Sequence, residues 1–167
     1  MRIIPLTGLA KVLTGIPAVP RVVAPGSFAT PHELLNALDA ALDRWRLVMV
    51  NALPGIPDRE GILYESAFVG PGMRGAKALD YYPSRLSMVP RLFWTTLPPD
   101  IVVLHTSRPQ GGFVSMGIEV QVMPGALEAA RARGALILAQ VNPHMPFTLG
   151  DGVISVDDID VAVEVDQ

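Results

Sequence analysis

Ala135-Leu136-Ile137-Leu138-Ala139-Gln140-Val141 runs straight into Asn142-Pro143-His144-Met145-Pro146-Phe147-Thr148-Leu149-Gly150-Asp151. The leading stretch is apolar except for Gln140, the profile of a strand buried on both faces. The stretch that follows holds Asn, two Pro, Gly and Asp, which marks a shaped loop. Strands buried on both faces belong to parallel sheets, and in open α/β sheets ligands sit beyond the strands' carboxyl ends. Pro143 and Pro146 restrict the loop backbone and suit it to hold side chains around a ligand. An ordinary connecting loop is the structural alternative.

Working outward, Arg21 to Ala24 reads as a short β-branched strand stopped by Pro25-Gly26. Thr30 is placed to cap a helix, with Pro31 at its first position and Glu33 three residues after the cap. Leu34, Leu35, Leu38, Ala41 and Leu42 then recur at helical spacing. Leu47 to Val50 is the next buried strand, so the unit is strand–helix–strand and implies a parallel pair. Ile101 to Leu104 is a further apolar strand, and Pro124 to Arg133 a helix ended by Gly134. These elements predict an α/β fold: one domain over residues 1–167, an open, mainly parallel sheet flanked by helices.

The remaining segments are shorter. Residues 3 to 15 predict a short helix ended at Gly15-Ile16-Pro17. Ala67 to Val69 predicts a strand entering Gly70-Pro71-Gly72-Met73-Arg74-Gly75, with a helix following over Ala76 to Tyr81. Such a turn admits a ligand to the backbone, and a helix N-terminus favours anions. Its glycines do not match the dinucleotide fingerprint, and it lacks the Lys-Ser/Thr of a phosphate-binding loop; tight packing alone is the alternative. Ser87 is placed to cap a short helix carrying Val89, Leu92, Phe93 and Trp94. Phe113 to Val120 has mixed strand character. Val153–Val156 and Val161–Val165 alternate as edge or antiparallel strands do. Three strands thus end in Pro/Gly-rich loops, 70–75, 105–112 and 142–151, which a parallel sheet gathers at one edge.

Composition narrows the function. Among 167 residues, 50% are hydrophobic and 17% charged, drier than an average soluble domain and consistent with doubly buried strands or a face covered by a partner. A net charge of −3 with no basic run argues against nucleic acid. The absence of cysteine excludes disulfides, thiol catalysis and Cys-based zinc sites. Pro5, Gly8, Lys11, Gly15, Pro17 and Pro20 interrupt the N-terminal region, which therefore reads as neither a signal peptide nor a spanning helix. The expectation is a cytoplasmic protein without membrane contact.

His32, His105 and His144 show no metal-ligand spacing, and Asp157, Asp158 and Asp160 read as a solvated turn, so no metal is expected. Ser107 and Ser115 lie near the predicted cleft without a nucleophile-elbow sequence. Glu119 is the glutamate closest to the central loops, with nothing in the sequence to activate it. From the residues alone the chain has a cleft and no catalytic group.

Four segments nonetheless resemble one family. They are Phe68-Val69-Gly70-Pro71-Gly72-Met73-Arg74, Ser87-Met88-Val89-Pro90-Arg91-Leu92-Phe93, Ser115-Met116-Gly117, and Ala139-Gln140-Val141-Asn142-Pro143-His144-Met145-Pro146 with Gly150-Asp151. In order and spacing, from about Arg21 to Asp166, the chain resembles the N-terminal part of the acetyl-CoA hydrolase/transferase family, which includes 4-hydroxybutyrate and acetate CoA-transferases. The resemblance implies a domain that packs against a second, similar domain, with the active site between them. It implies coenzyme A as a substrate rather than a bound cofactor, and ping-pong transfer through a glutamyl-CoA thioester. The nucleophilic glutamate of the family lies in its C-terminal domain, so no catalytic residue is expected in this chain. The cleft wall that the resemblance places here comprises Gly70, Pro71, Gly72, Met73, Ser107, Gly112, Asn142, Pro143, Met145, Pro146, Gly150 and Asp151. His144 and Phe147 stand where relatives often have Arg and Tyr, and Arg108-Pro109-Gln110-Gly111 departs from the usual form of its loop.

The implied protein is therefore half of an acyl-CoA:carboxylate CoA-transferase or acyl-CoA thioester hydrolase. A companion chain would supply the C-terminal half in a hetero-oligomer, or the chain is a truncated form in a homo-oligomer. A non-catalytic acyl-CoA-binding or scaffold subunit is the alternative, and a sugar-phosphate isomerase of the same broad fold a more distant one.

Overall fold

A computed structural model describes residues 1–167. Its main strands are β1 (Arg2–Ile3), β2 (Arg21–Val23), β3 (Trp45–Val48), β4 (Ile62–Ser66), β5 (Leu79–Tyr81), β6 (Ile101–Thr106), β8 (Leu136–Val141) and β10 (Val161–Glu164). They form one eight-stranded sheet in the order β1-β10-β8-β6-β2-β3-β4-β5, and every pairing in it is parallel. A separate antiparallel pair joins β7 (Phe113–Ser115) to β9 (Val153–Ser155). The helices are α1 (His32–Ala41), α2 (Val89–Leu92) and α3 (Met123–Arg133).

Side chains alternate across the strands and build two cores. Val22, Leu47, Ile101, Val103 and Leu138 face α1, where Leu34, Leu35 and Leu38 are buried beside Leu9 of a short 3₁₀ turn. Val23, Val48, Val102, Leu104, Ile137 and Ala139 face the other way, onto Ala126, Leu127 and Ala130 of α3 and Phe93 beyond α2. Burial on both faces explains the uninterrupted apolar runs of β6 and β8, which pair in register from Ile101–Leu136 to Thr106–Val141.

Several sequence expectations change here. The strand expected at Ala67–Val69 is β4, which lies earlier and ends at Ser66, while Ala76–Tyr81 forms no helix: Leu79–Tyr81 is the edge strand β5. The turn 70–75 therefore precedes no helix N-terminus. β4 holds this edge strand through backbone bonds, Tyr64 N donating to Ala78 O and Ser66 O accepting from Tyr82 N, a non-local pairing that outweighs local preference. The segment 3–15 contributes β1 and a 3₁₀ turn over Leu6–Lys11 rather than an α-helix. Strand character after Phe113 stops at Ser115, and the Ser87 cap does not form, α2 following directly from a 3₁₀ turn at Leu86–Met88. β9 is antiparallel as its pattern suggests, but β10 is an inner parallel strand.

One charged cluster is built into the sheet. Glu65 on β4 has a fully buried side chain and accepts from Arg21 Nε at 2.6 Å and Nη2 at 3.1 Å, across from β2. Arg46 on β3 adds a third contact at 3.2 Å, and Tyr82 Oη donates to the same carboxylate. Burial alone would lower the Arg21 pKa, but the hydrogen bond and charge of Glu65 outweigh it and hold the guanidinium protonated. Removing one member of such a pair strands the other in low dielectric. Arg21→Met should therefore lower the unfolding free energy by about 3 kcal/mol, read from urea midpoints. The double change Arg21→Met with Glu65→Leu should recover most of that loss.

Candidate functional site

From β2 the chain builds outward through β3, β4 and β5; from β6 it builds the opposite way through β8 and β10. α1 follows β2 on one face, and α3 follows β6 on the other. The neighbours β2 and β6 thus form the point where the winding reverses, and the carboxyl ends at such a point are where open α/β sheets place ligands. The loops after β8, β6 and β4 reach this same edge, as the parallel arrangement requires.

The joint of that edge is Ser27. Its Oγ accepts from Asn51 Nδ2 at 2.9 Å and from Gln121 Nε2 at 3.2 Å, while Ser27 N donates to Asn51 O at 3.0 Å. The loops after β2 and β3 and the segment between β7 and α3 therefore meet at one hydroxyl. Ser27, Asn51 and Gln121 are also the three non-glycine residues with left-handed backbone, at φ of 49°, 53° and 45°. Strained residues held together by mutual hydrogen bonds concentrate at functional sites. Backbone crowding fixes the arrangement. A Cβ on Gly26 would lie 1.9 Å from Val50 O, and one on Gly70 would lie 2.3 Å from Ala52 O. Gly70 and Gly72 thus let the 70–73 turn press on the 51–54 backbone, secured by Gly72 N donating to Ala52 O.

Below Ser27 lies a buried polar network. His105 on β6 and Gln140 on β8 are register partners. His105 Nδ1 lies 3.1 Å from Ala29 O and so donates to it, leaving Nε2 to accept from Asn142 Nδ2 at 3.1 Å. Gln140 Oε1 accepts from Leu34 N at 2.9 Å, and Gln167 Oε1 accepts from His32 N at 3.1 Å. These side chains cap α1 in place of Thr30, whose hydroxyl donates to Ser27 O instead. The helix N-terminus is thereby occupied. Burial lowers the His105 pKa, opposed by the Ala29 hydrogen bond, so the ring is neutral. On the opposite face of β6, the Thr106 hydroxyl is buried without a partner.

The predicted wall residues take different positions. Asn142 is buried, its amide donating to His105 and to Gln167 O and accepting from His144 N. Ser107 is buried as well, donating to Arg108 O and accepting from Ser115 N. Ser115 Oγ ties to Thr148, which locks the loop after β6 to the loop after β8. Met73 and Met145 are core residues, whereas Pro71, Gly112, Pro146, Gly150 and Asp151 are exposed and Pro143 is half-buried. His144 pairs with Asp166 at 2.7 Å on the surface. Ser27, Phe28, Asn51 and Gln121 were not singled out by the sequence reading. The signal available for them was small: a Pro25-Gly26 stop before Ser27, and Asn at the end of a buried strand.

Four large apolar side chains stand exposed on these loops: Phe28 (76% exposed), Phe68 (48%), Ile118 (55%) and Leu149 (88%). The edge also holds a small cavity of about 250 Å³ between Arg108, Pro143 and Asp166. A larger one of about 780 Å³ lies at the opposite, amino edge, lined by Arg2, Asp100, Arg131 and Asp160. There Asp100 and Asp160 accept from Arg21 N and Ile137 N, and Arg131 pairs with Asp158. Asp100, Asp160, Arg131 and Asp158 are thus spent on backbone and one another, while Arg2, Arg133 and Asp157 have no such partner; we assign the site to the carboxyl edge, where the exposed apolar side chains gather. Nowhere do three or more His, Asp or Glu side chains gather to hold a metal ion. No helix is long and apolar enough to cross a membrane.

A family model described as the acetyl-CoA hydrolase/transferase N-terminal domain matches residues 58–167. The chain is 34% identical over 157 residues to 4-hydroxybutyrate coenzyme A transferase of Clostridium kluyveri, which takes in 86% of this chain and 36% of that protein. RipA from Yersinia pestis has a similar structure, with a TM-score of 0.81 and 21% identity over 99% of this chain and 43% of that one. A 4-hydroxybutyrate CoA-transferase from Porphyromonas gingivalis gives 0.70 and 21%, over 99% of this chain and 40% of that one. An acyl-CoA transferase from E. coli O157:H7, solved as a thioester complex with CoA, gives 0.69 and 14%, over 98% and 49%. The three structures share the fold. The chain spans less than half the length of each of these proteins.

The neutral His105 carries a pH signature. Below about pH 6.5 an unfolded histidine takes up a proton that the folded ring refuses. Its contribution to stability is therefore complete above that pH and declines as pH falls through it. Urea midpoints measured from pH 7.5 to 5 should show this decline, and His105→Gln should flatten part of it.

Proposed function

Because this chain belongs to the acetyl-CoA hydrolase/transferase family, we propose that its carboxyl edge is one wall of an acyl-CoA cleft. The enzyme is an acyl-CoA:carboxylate CoA-transferase or an acyl-CoA thioester hydrolase, with a second half of the fold closing over this edge. That half is a separate companion chain or further polypeptide. The observation that carries the reading is the edge itself: the winding reverses there, and Phe28, Phe68, Ile118 and Leu149 stand exposed on its loops. Covering these side chains would remove apolar surface from water and dry the cleft.

In this reading a glutamate of the second half attacks the thioester carbonyl. The CoA thiolate leaves and a mixed anhydride remains. The thiolate then adds to the glutamyl carbonyl, releases the first carboxylate and leaves a glutamyl-CoA thioester, which a second carboxylate takes through the same steps in reverse. Water in place of that carboxylate gives hydrolysis. Of the glutamates near this edge, Glu65 is wholly buried between two arginines, Glu119 Oε2 accepts from Gln121 at 2.8 Å, and Glu164 at the end of β10 is exposed beside the small cavity, where solvation leaves it unactivated. This chain's part is to shape the cleft, exclude water and present hydrogen-bond donors to the substrate.

Purified alone, the chain should show no CoA exchange between acetyl-CoA and short carboxylates. Exchange should appear on mixing with the completing half, and borohydride should trap the glutamyl thioester on that half. Ordinary turnover by the single chain would refute the division of labour. In the complete assembly, Asp151→Ala should lower kcat/KM about tenfold, roughly 1.4 kcal/mol of transition-state stabilisation, with folding and assembly unchanged.

A further inference from the structure

We propose that Ser27 is the group on this chain that recognises the acyl carbonyl, its hydroxyl donating a hydrogen bond to the thioester or carboxylate oxygen of a short acyl substrate. The inference rests on the acyl-CoA reading above and goes further by naming the residue and the substrate atom.

A serine hydroxyl has one proton to give and two lone pairs to fill. At Ser27 both lone pairs are filled, by Asn51 Nδ2 and Gln121 Nε2. The Gln121 amide is oriented by Glu119, which takes a hydrogen bond from the same nitrogen at 2.8 Å and so fixes the nitrogen toward Ser27. No protein oxygen accepts the Ser27 proton. Accepting two hydrogen bonds polarises the O–H and makes it a stronger donor. The partners are amides, which cannot take the proton, so the group is a donor and not a nucleophile.

Placement supports the same role. Ser27 follows β2 at the winding reversal, is itself only 7% exposed, and is followed by Phe28 at 76%. A nearly buried polar donor beside an exposed aromatic ring suits a ligand with a carbonyl at one end and a short apolar chain beyond it. Three residues hold left-handed backbone to build this group, at φ of 49°, 53° and 45°. A hydroxyl needed only to tie loops together would be served by a relaxed turn.

The test uses the ¹⁵N-labelled full chain titrated with three probes: butyryl-CoA, S-butyl-CoA, whose thioether replaces the carbonyl by a methylene, and CoA. Expected are shifts of the Ser27 amide and of the Asn51 and Gln121 side-chain NH₂ signals with butyryl-CoA. Its affinity should exceed that of S-butyl-CoA by about five- to tenfold. Ser27→Gly accepts the left-handed backbone and lacks the hydroxyl, so it should bind the two equally while binding CoA as before. Gln121→Leu, a second and milder change, should reduce the preference without abolishing it. If wild type binds both ligands equally, or Ser27→Gly keeps the preference, the assignment to Ser27 is overturned and the cleft stands. If none of the three probes binds at this edge, the assignment and the acyl-CoA reading fall together.

Discussion

The backbone at Gly26 lies so close to the Val50 carbonyl that a Cβ there would sit 1.9 Å from the oxygen. That contact brings the loop after β2 down onto the loop after β3. It leaves Ser27 in left-handed backbone, where its amide finds Asn51 O and its hydroxyl finds two side-chain amides. The turn at Gly70–Met73 presses on the same backbone from the other side. The loops after β2 and β4 are thereby stacked against a short segment after β3, Val50 to Leu53, and Gln121 joins them through Ser27. In this fold the site is a consequence of backbone packing before it is a matter of side chains.

A second constraint works one layer down. α1 begins where its sequence places a helix, but its first N–H groups are satisfied by Gln140 and Gln167, more than a hundred residues away. The local capping signal at Thr30 loses because the Thr30 hydroxyl donates to Ser27 O. One polar residue in an otherwise apolar strand, Gln140, is thus the link between the central pair β6–β8 and the helix over it. His105, its register partner, is held neutral by burial and completes the link to Ala29 and Asn142. Buried polar groups of this kind are tolerated because each finds its partner.

The edge so built has donors and apolar surface, and its two inner glutamates are already engaged. Glu65 is engaged by Arg21 and Arg46, and Glu119 orients Gln121. On the proposed reading, a second half of the fold supplies the nucleophile and covers the exposed apolar side chains of this edge. The amino edge, despite its larger cavity, spends Asp100 and Asp160 on backbone N–H groups and pairs Arg131 with Asp158.

The parallel α/β sheet, the crossover through α1, the central strands β6 and β8, and the gathering of three loops at one edge were legible in the residues, because apolar periodicity and Pro/Gly punctuation are local properties. So was the family, through motifs contiguous in sequence. The helix expected at 76–81 was not legible as strand β5, nor was β10 as an inner strand, because pairing partners far along the chain decided both. Asn142 and Ser107 stood out as cleft residues, yet their polar atoms are turned into the fold. Ser27 was invisible for the opposite reason. A serine after Pro-Gly is an ordinary turn residue until tertiary packing brings Asn51 and Gln121 to it, and hydrogen-bond geometry among three distant loops exists only in the folded chain.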